Sequence, residues 1–186
     1  MRRADGIRAV LRRVTTEPII ANLGPATFDL FALGDRPANL YTWGGMGLVS
    51  SIGLGVALAA PDRKVIVMDG DGSLLMNLGS LATIARQRPP NLVHLVWDNH
   101  QWAETGGQAT HTATGTDLAA VARAAGVPRV EAVLTLEELE QALDRALQDD
   151  GPWCIVAEVQ EQGAAQRPPV EPEANLSLFR STFPSH

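Results

Sequence analysis

Only one cysteine occurs in the 186 residues, Cys154, inside the apolar run "WCIVAEV". That excludes an internal disulfide and a cysteine-based zinc cage, and a lone thiol in such a run reads as a small core residue of a protein kept in a reducing compartment. Basic stretches are scarce as well. The chain carries 15 Lys and Arg against 21 Asp and Glu, a net charge of −6, with its bases scattered apart from Arg2, Arg3, Arg12 and Arg13. No stripe exists that could neutralise a phosphate backbone, so nucleic acid is not an expected partner. Long apolar runs are missing too. "MRRADGIRAVLRRV" reads as an amphipathic helix rather than a leader, and the most apolar stretch, residues 44–60, is rich in glycine and serine and shorter than the roughly 20 residues a bilayer requires. A cytoplasmic protein without a membrane partner is the expectation. Neither a G-x-x-x-x-G-K-S/T loop nor a G-x-G-x-x-G turn after a strand occurs, which argues against an ordinary triphosphatase and against a dinucleotide fold.

What is present is a composition of 45% hydrophobic and 19% charged residues, enough for one soluble domain with a real core. Periodicity alternates along the chain. Helices are expected at 3–14, 26–33, 47–59, 78–87, 117–125 and 135–148, and strands at 18–22, 39–42, 64–69, 91–97, 129–133 and 153–159, with a loop over 99–115. Strands separated by helices imply right-handed crossovers, hence a single-domain α/β fold: a doubly wound, mostly parallel sheet with helices on both faces. "KVIVMD" and "NLVHLVW" are nearly continuous apolar runs, as central strands covered on both faces should be. The domain is drawn over residues 1–162. Residues 163–186, "GAAQRPPVEPEANLSLFRSTFPSH", read as a proline-rich extended tail with "LSLF" as a short docking element.

The chemistry gathers in "VIVMDGDGSLLMN" and "LVWDN". Gly70 and Gly72 let the chain turn sharply at a strand end, and the helix that follows offers N–H groups to an anion. Asp71 beside an anion would repel it unless a hard divalent cation such as Mg²⁺ lay between them. Asn99, 28 positions on and at the end of the next strand, is placed to join the same ion. By itself, Asp71 could equally be a turn residue capping a helix.

These residues resemble those of thiamine diphosphate-dependent enzymes, in which GDG is followed about 25 to 30 residues later by one or two asparagines. "NLYTWGGMGLVSSIGLGVALA" is similar to the segment that precedes GDG in the decarboxylase and acetolactate synthase group. "NLGPATFDL", "GGMGL", "DGDGSLLMNLGSLATIA" and "ETGGQATHT" together resemble the β subunit of sulfopyruvate decarboxylase and the matching half of phosphonopyruvate decarboxylase, over roughly residues 18–160. The resemblance implies thiamine diphosphate and Mg²⁺ as cofactors. Asp71, Asn99 and the main-chain carbonyl of Gln101 would hold the metal, and Gly70, Gly72 and Ser73 the diphosphate. The turn Gly24–Thr27 would line the same crevice. Gly44 would offer its carbonyl to the aminopyrimidine, and Met46 would wedge the cofactor into its bent form. Asp98 departs from the common pair of asparagines, and Ala109 stands where the relatives usually have proline in "GGQPT".

The implied activity is decarboxylation of a small 2-oxo acid, 3-sulfopyruvate or 3-phosphonopyruvate, the cofactor serving as electron sink when CO₂ departs. Carboligation of the acetolactate synthase type and a non-catalytic phosphate-binding module are the alternatives. The activating glutamate belongs in such enzymes to a pyrimidine-binding domain that this stretch lacks, so a hetero-oligomer with a separate α subunit is implied. His100, His111 and Glu104 belong to the loop after the metal ligand and are candidates to face substrate, though a loop histidine or acid is ordinarily just solvated. His94, within an apolar strand, reads as a hydrogen-bonded core residue. "TLEELEQALDRALQDD", with its threonine cap and apolar stripe, reads as structural.

Overall fold

A computed structural model describes residues 1–160 and 166–184. Nearly every expected element forms. In chain order they are α1 (Arg3–Leu11), β1 (Ile19–Ala21), α2 (Pro25–Gly34), β2 (Asn39–Tyr41), α3 (Val49–Ala59), β3 (Val65–Gly70), α4 (Asp71–Leu75), α5 (Gly79–Gln87), β4 (Leu92–Asp98), β5 (Gln101–Trp102), β6 (Gln108–Ala109), α6 (Leu118–Ala124), β7 (Arg129–Val133), α7 (Leu136–Gln148), β8 (Trp153–Glu158) and α8 (Pro172–Ser181). Six strands make one sheet in the order β2-β1-β3-β4-β8-β7, every pairing parallel.

The pleat divides the apolar strand residues between two layers. Ile66 and Met68 of β3 with Val93 and Leu95 of β4 pack against α1, α2 and α7 through Ile7, Val10, Leu30, Leu139 and Leu143. Val65, Val67 and Leu92 face the other way, toward Val49, Leu54 and Ala57 of α3. Further along that side, Val96, Cys154 and Val156 meet Leu74, Leu81 and Leu118. Gly53 lets α3 lie directly on β3: a Cβ there would fall 2.0 Å from Val67 Cγ2. Thr135 and Glu138 close a reciprocal capping box at the start of α7, as the sequence pattern implies.

Three segments differ from expectation. A helical turn, α4, begins at Asp71 itself, because the β3 ladder ends at Gly70 and the chain reverses without a linker. The loop 99–115 contains the small antiparallel hairpin β5–β6 and a 3₁₀ turn at His111–Thr114. The tail is not extended throughout. Residues 172–181 are helical and close the outer edge of the sheet: Asn175 accepts the Tyr41 N–H at 2.9 Å and donates to the Asn39 carbonyl at 2.9 Å, while Phe179 is buried. Such an edge strand would otherwise expose its unpaired peptide groups. The boundary drawn between 162 and 163 lies outside the described residues. Among the described residues, no helix is long and apolar enough to cross a membrane.

Candidate functional site

Strand order creates the site. From β1 the chain passes through α2 to β2 on one side, then crosses back through α3 to β3 on the other. In open α/β sheets a crevice opens at such a reversal, outside the carboxyl ends of the strands. Here the crevice is walled by Asn22 and Pro25 after β1, Met46, Gly70–Ser73 after β3, and Asn99, Gln101, Trp102 and Glu104 after β4.

Most of the sequence-derived site residues meet there. Asp71 starts α4 and is buried. Ser73 joins the two glycine-rich blocks, its Oγ accepting the Gly47 N–H at 3.0 Å, and Asn77 donates to the Gly47 carbonyl at 3.0 Å. These bonds hold Met46 at the crevice wall against the elbow. Gly70 has its N–H engaged inward, donated to Asp69 Oδ1 at 2.8 Å. At Gly72 a Cβ would fall 2.5 Å from the Trp102 indole, so only glycine lets the loop after β4 seat on the elbow. Gly24, at φ 88°, leads into α2. A Cβ on it would lie 3.0 Å from Glu104 Oε2, which places the Glu104 carboxylate at the start of that helix.

Others stand apart from the crevice. The Thr27 side chain is fully buried and donates to the Asn22 carbonyl at 2.7 Å, bracing the turn. Gly44 is exposed at the surface, with nothing within 4 Å of where its Cβ would be. His100, in the left-handed region at φ 60°, lines a neighbouring cavity of about 240 Å³ with Asp98 and Thr112. His111 is exposed at the start of the 3₁₀ turn.

The electrostatics are uneven. Burial drives the Asp71 carboxyl up to about 6, and the nearby Asp98 charge adds to this, against hydrogen bonds from Thr110 at 2.6 Å, Gly72 and Thr112 at 3.3 Å. Asp98 accepts from Thr112 Oγ1 at 2.8 Å and from the His100 N–H at 3.1 Å, so the residue that departs from the usual asparagine anchors the loop. A buried carboxylate beside a second one is stabilised by a divalent cation, which reverses the local pKa logic. The donor set fits such an ion: oxygens from Asp71, Asn99 and a peptide carbonyl suit Mg²⁺. Among the described residues, no cluster of three or more His, Cys, Asp or Glu could hold a metal by itself, so the remaining ligands would be phosphate oxygens and water. The Asn22 Oδ1 is buried at the crevice with no hydrogen-bond partner among the described residues, a further group that a ligand or water would satisfy.

Directly beneath the elbow, Asp69 Oδ2 lies 3.0 Å from His94 Nε2, both side chains fully buried. Burial opposes charge on His94, but Asp69 and the neighbouring Cys154 side chain together outweigh it and lift the imidazole to about 10. Sequence reasoning missed Asn22, Thr110, Thr112 and Trp102. Asn22 had a usable signal, since it follows the end of an expected strand at the carboxyl edge. The two threonines had none, because single hydroxyls in a loop carry no spacing.

Comparison with known proteins agrees with this geometry. Residues 28–157 match the family model described as thiamine pyrophosphate enzyme, C-terminal TPP binding domain. The sulfopyruvate decarboxylase subunit beta of Methanococcus maripaludis is 41% identical over 176 residues, 95% of this chain and 90% of that one. The phosphonopyruvate decarboxylase of Streptomyces hygroscopicus is 42% identical over 179 residues, 92% of this chain but only 44% of the relative, so the chain spans about half that protein's length. A thiamine diphosphate-dependent 4-hydroxybenzoylformate decarboxylase from Rhodococcus jostii shares the fold, with a TM-score of 0.72 and 23% identity over 87% of this chain and 33% of that one. A family match over residues 28–157, with a relative 41% identical over nine-tenths of its own length, assigns the protein: the chain belongs to the thiamine pyrophosphate enzyme family and carries its TPP-binding domain.

Proposed function

We propose that the chain is the diphosphate- and Mg²⁺-binding subunit of a cytoplasmic, thiamine diphosphate-dependent 2-oxo acid decarboxylase. It acts on 3-sulfopyruvate or 3-phosphonopyruvate together with a separate pyrimidine-binding subunit that supplies the activating glutamate. One observation carries the reading: a buried, undercompensated Asp71 at the strand-order reversal, with Asn99 ending the adjacent strand. The similarity to a sulfopyruvate decarboxylase beta subunit over nine-tenths of that subunit supports the substrate class and the division between two chains.

Bound thiamine diphosphate would supply the electron sink for loss of CO₂. The chain's own residues prepare the place for it. Asp71, Asn99 and the Gln101 carbonyl would hold Mg²⁺, and the Ser73 N–H, at a helix start, would favour the diphosphate, while the Gly72 N–H is donated to Asp71. The Gly24–Thr27 turn closes the crevice on the β1 side. Met46 offers an apolar wall, held against the elbow by the Ser73 and Asn77 bonds to Gly47, and the exposed Gly44 would offer its carbonyl to the aminopyrimidine from outside the crevice. Trp102 seats the loop after β4 on the elbow, with Glu104 at the crevice wall, whereas His100 lines the neighbouring cavity and His111 is exposed.

The test is purification from native cells in Mg²⁺-containing buffer, followed by assay for thiamine diphosphate, a co-purifying polypeptide and CO₂ release from the two 2-oxo acids. Cofactor, partner and CO₂ with an aldehyde product are expected. Retention of the cofactor with formation of a longer hydroxy-oxo acid would replace decarboxylation by carboligation. Failure to retain the cofactor would leave a non-catalytic phosphate-binding module.

A further inference from the structure

Asp71 is held from a loop far along the chain. Thr110, whose side chain is almost completely buried, donates from Oγ1 to Asp71 Oδ2 at 2.6 Å across 39 residues of sequence. The Thr112 hydroxyl lies 2.9 Å from Thr110 Oγ1, 2.8 Å from Asp98 Oδ1 and 2.9 Å from His100 Nδ1. Between these threonines and β4 runs the hairpin β5–β6, whose Trp102 rests on Gly72. The loop therefore grips the elbow by an indole on Gly72 and by two hydroxyls on the adjacent Asp71, Thr110 at 2.6 Å and the more distant Thr112 at 3.3 Å.

We propose that Thr110 is a positioning residue for the cation: its hydroxyl fixes the Asp71 carboxylate in the orientation that Mg²⁺ requires and makes cation binding depend on the seating of the loop 100–112. This rests on the metal role proposed above for Asp71. A hydrogen bond from a neutral hydroxyl to a carboxylate is among the stronger side-chain bonds, and its donor here is buried, so the carboxylate cannot swing without breaking it. The dependence is reciprocal by linkage, and a bound cation must hold the loop more firmly.

The test uses the full chain with saturating thiamine diphosphate, titrated with Mg²⁺ by calorimetry. Thr110→Val, which keeps shape and loses the hydroxyl, should raise the apparent Kd for Mg²⁺ about tenfold, whereas Thr110→Ser, which restores a hydroxyl, should stay within about twofold of the unaltered chain. Hydrogen exchange over residues 101–109 should slow on adding Mg²⁺ in the unaltered chain and the serine variant, and not in the valine variant. A merely structural threonine would lower the Tm of Thr110→Val and leave Mg²⁺ affinity equal in all three, which overturns the proposal. Absence of Mg²⁺ and cofactor binding by the unaltered chain would overturn the metal reading together with it.

Discussion

Asp69 and Asp71 stand two residues apart, both buried, in opposite electrostatic surroundings. Asp69 lies inside the sheet and is compensated within the chain, by the His94 imidazole at 3.0 Å and the Gly70 N–H at 2.8 Å. Asp71 lies at the sheet's carboxyl edge, with hydroxyls and an N–H for donors and the Asp98 carboxylate nearby. The first aspartate is complete without a ligand. The second has surroundings that favour an incoming cation. One turn of chain thus separates a compensated acid from an undercompensated one, and burial alone does not tell them apart.

The comparison can be broken hardest at His94. His94→Leu leaves Asp69 buried without its counter-ion, at a cost of about 3–5 kcal/mol, or a fall in Tm of about 10 °C. Adding Asp69→Asn should recover part of that loss, and an unchanged Tm in His94→Leu would show that the pair contributes nothing. The pH dependence follows from the same pair. The folded imidazole, lifted to about 10, lies above its ordinary value of 6.5. Its contribution is therefore complete below about pH 6.5 and fades as the pH rises through about 10. Thermal melts should show Tm falling over that window in the unaltered chain and a flatter profile in His94→Leu.

Asp71→Asn should act in the reverse sense. The folded carboxyl titrates above its ordinary value, so its ionised form costs stability at neutral pH, and that cost disappears in acid. In chelator, urea unfolding should find the Asp71→Asn chain more stable by about 1 kcal/mol. With thiamine diphosphate present, Mg²⁺ should stabilise the unaltered chain and leave the variant unmoved. Destabilisation in chelator would mean that Asp71 is already compensated, as Asp69 is. Thr112→Val is the mildest change: it removes the hydroxyl that Asp98 accepts at 2.8 Å, for about 1 kcal/mol by the same urea measurement.

Much of this was legible in the residues. Continuous apolar strands separated by helices pointed to a parallel sheet, and the GDGS elbow with an asparagine after the next strand pointed to a crevice at its carboxyl edge. His94 was readable as a bonded core residue. Its partner was not, because Asp69 reaches it across two strands whose register no local pattern reveals: Val67 pairs with His94, and Asp69 lies diagonally beyond. The helix 172–181 was obscured by the prolines before it, and its docking depends on Asn175 meeting the open peptide groups of β2.

The sequence by itself determined the order of elements, the burial of the central strands on both faces and the polar side chains available at two strand ends, since these follow from local periodicity and side-chain chemistry. Tertiary structure decided which of two neighbouring aspartates is compensated and which threonines grip the Asp71 carboxylate. It also decided that the strand-order reversal falls between β1 and β3. Each of these depends on contacts between residues distant in the chain, and a buried charge takes its character from what packing places beside it.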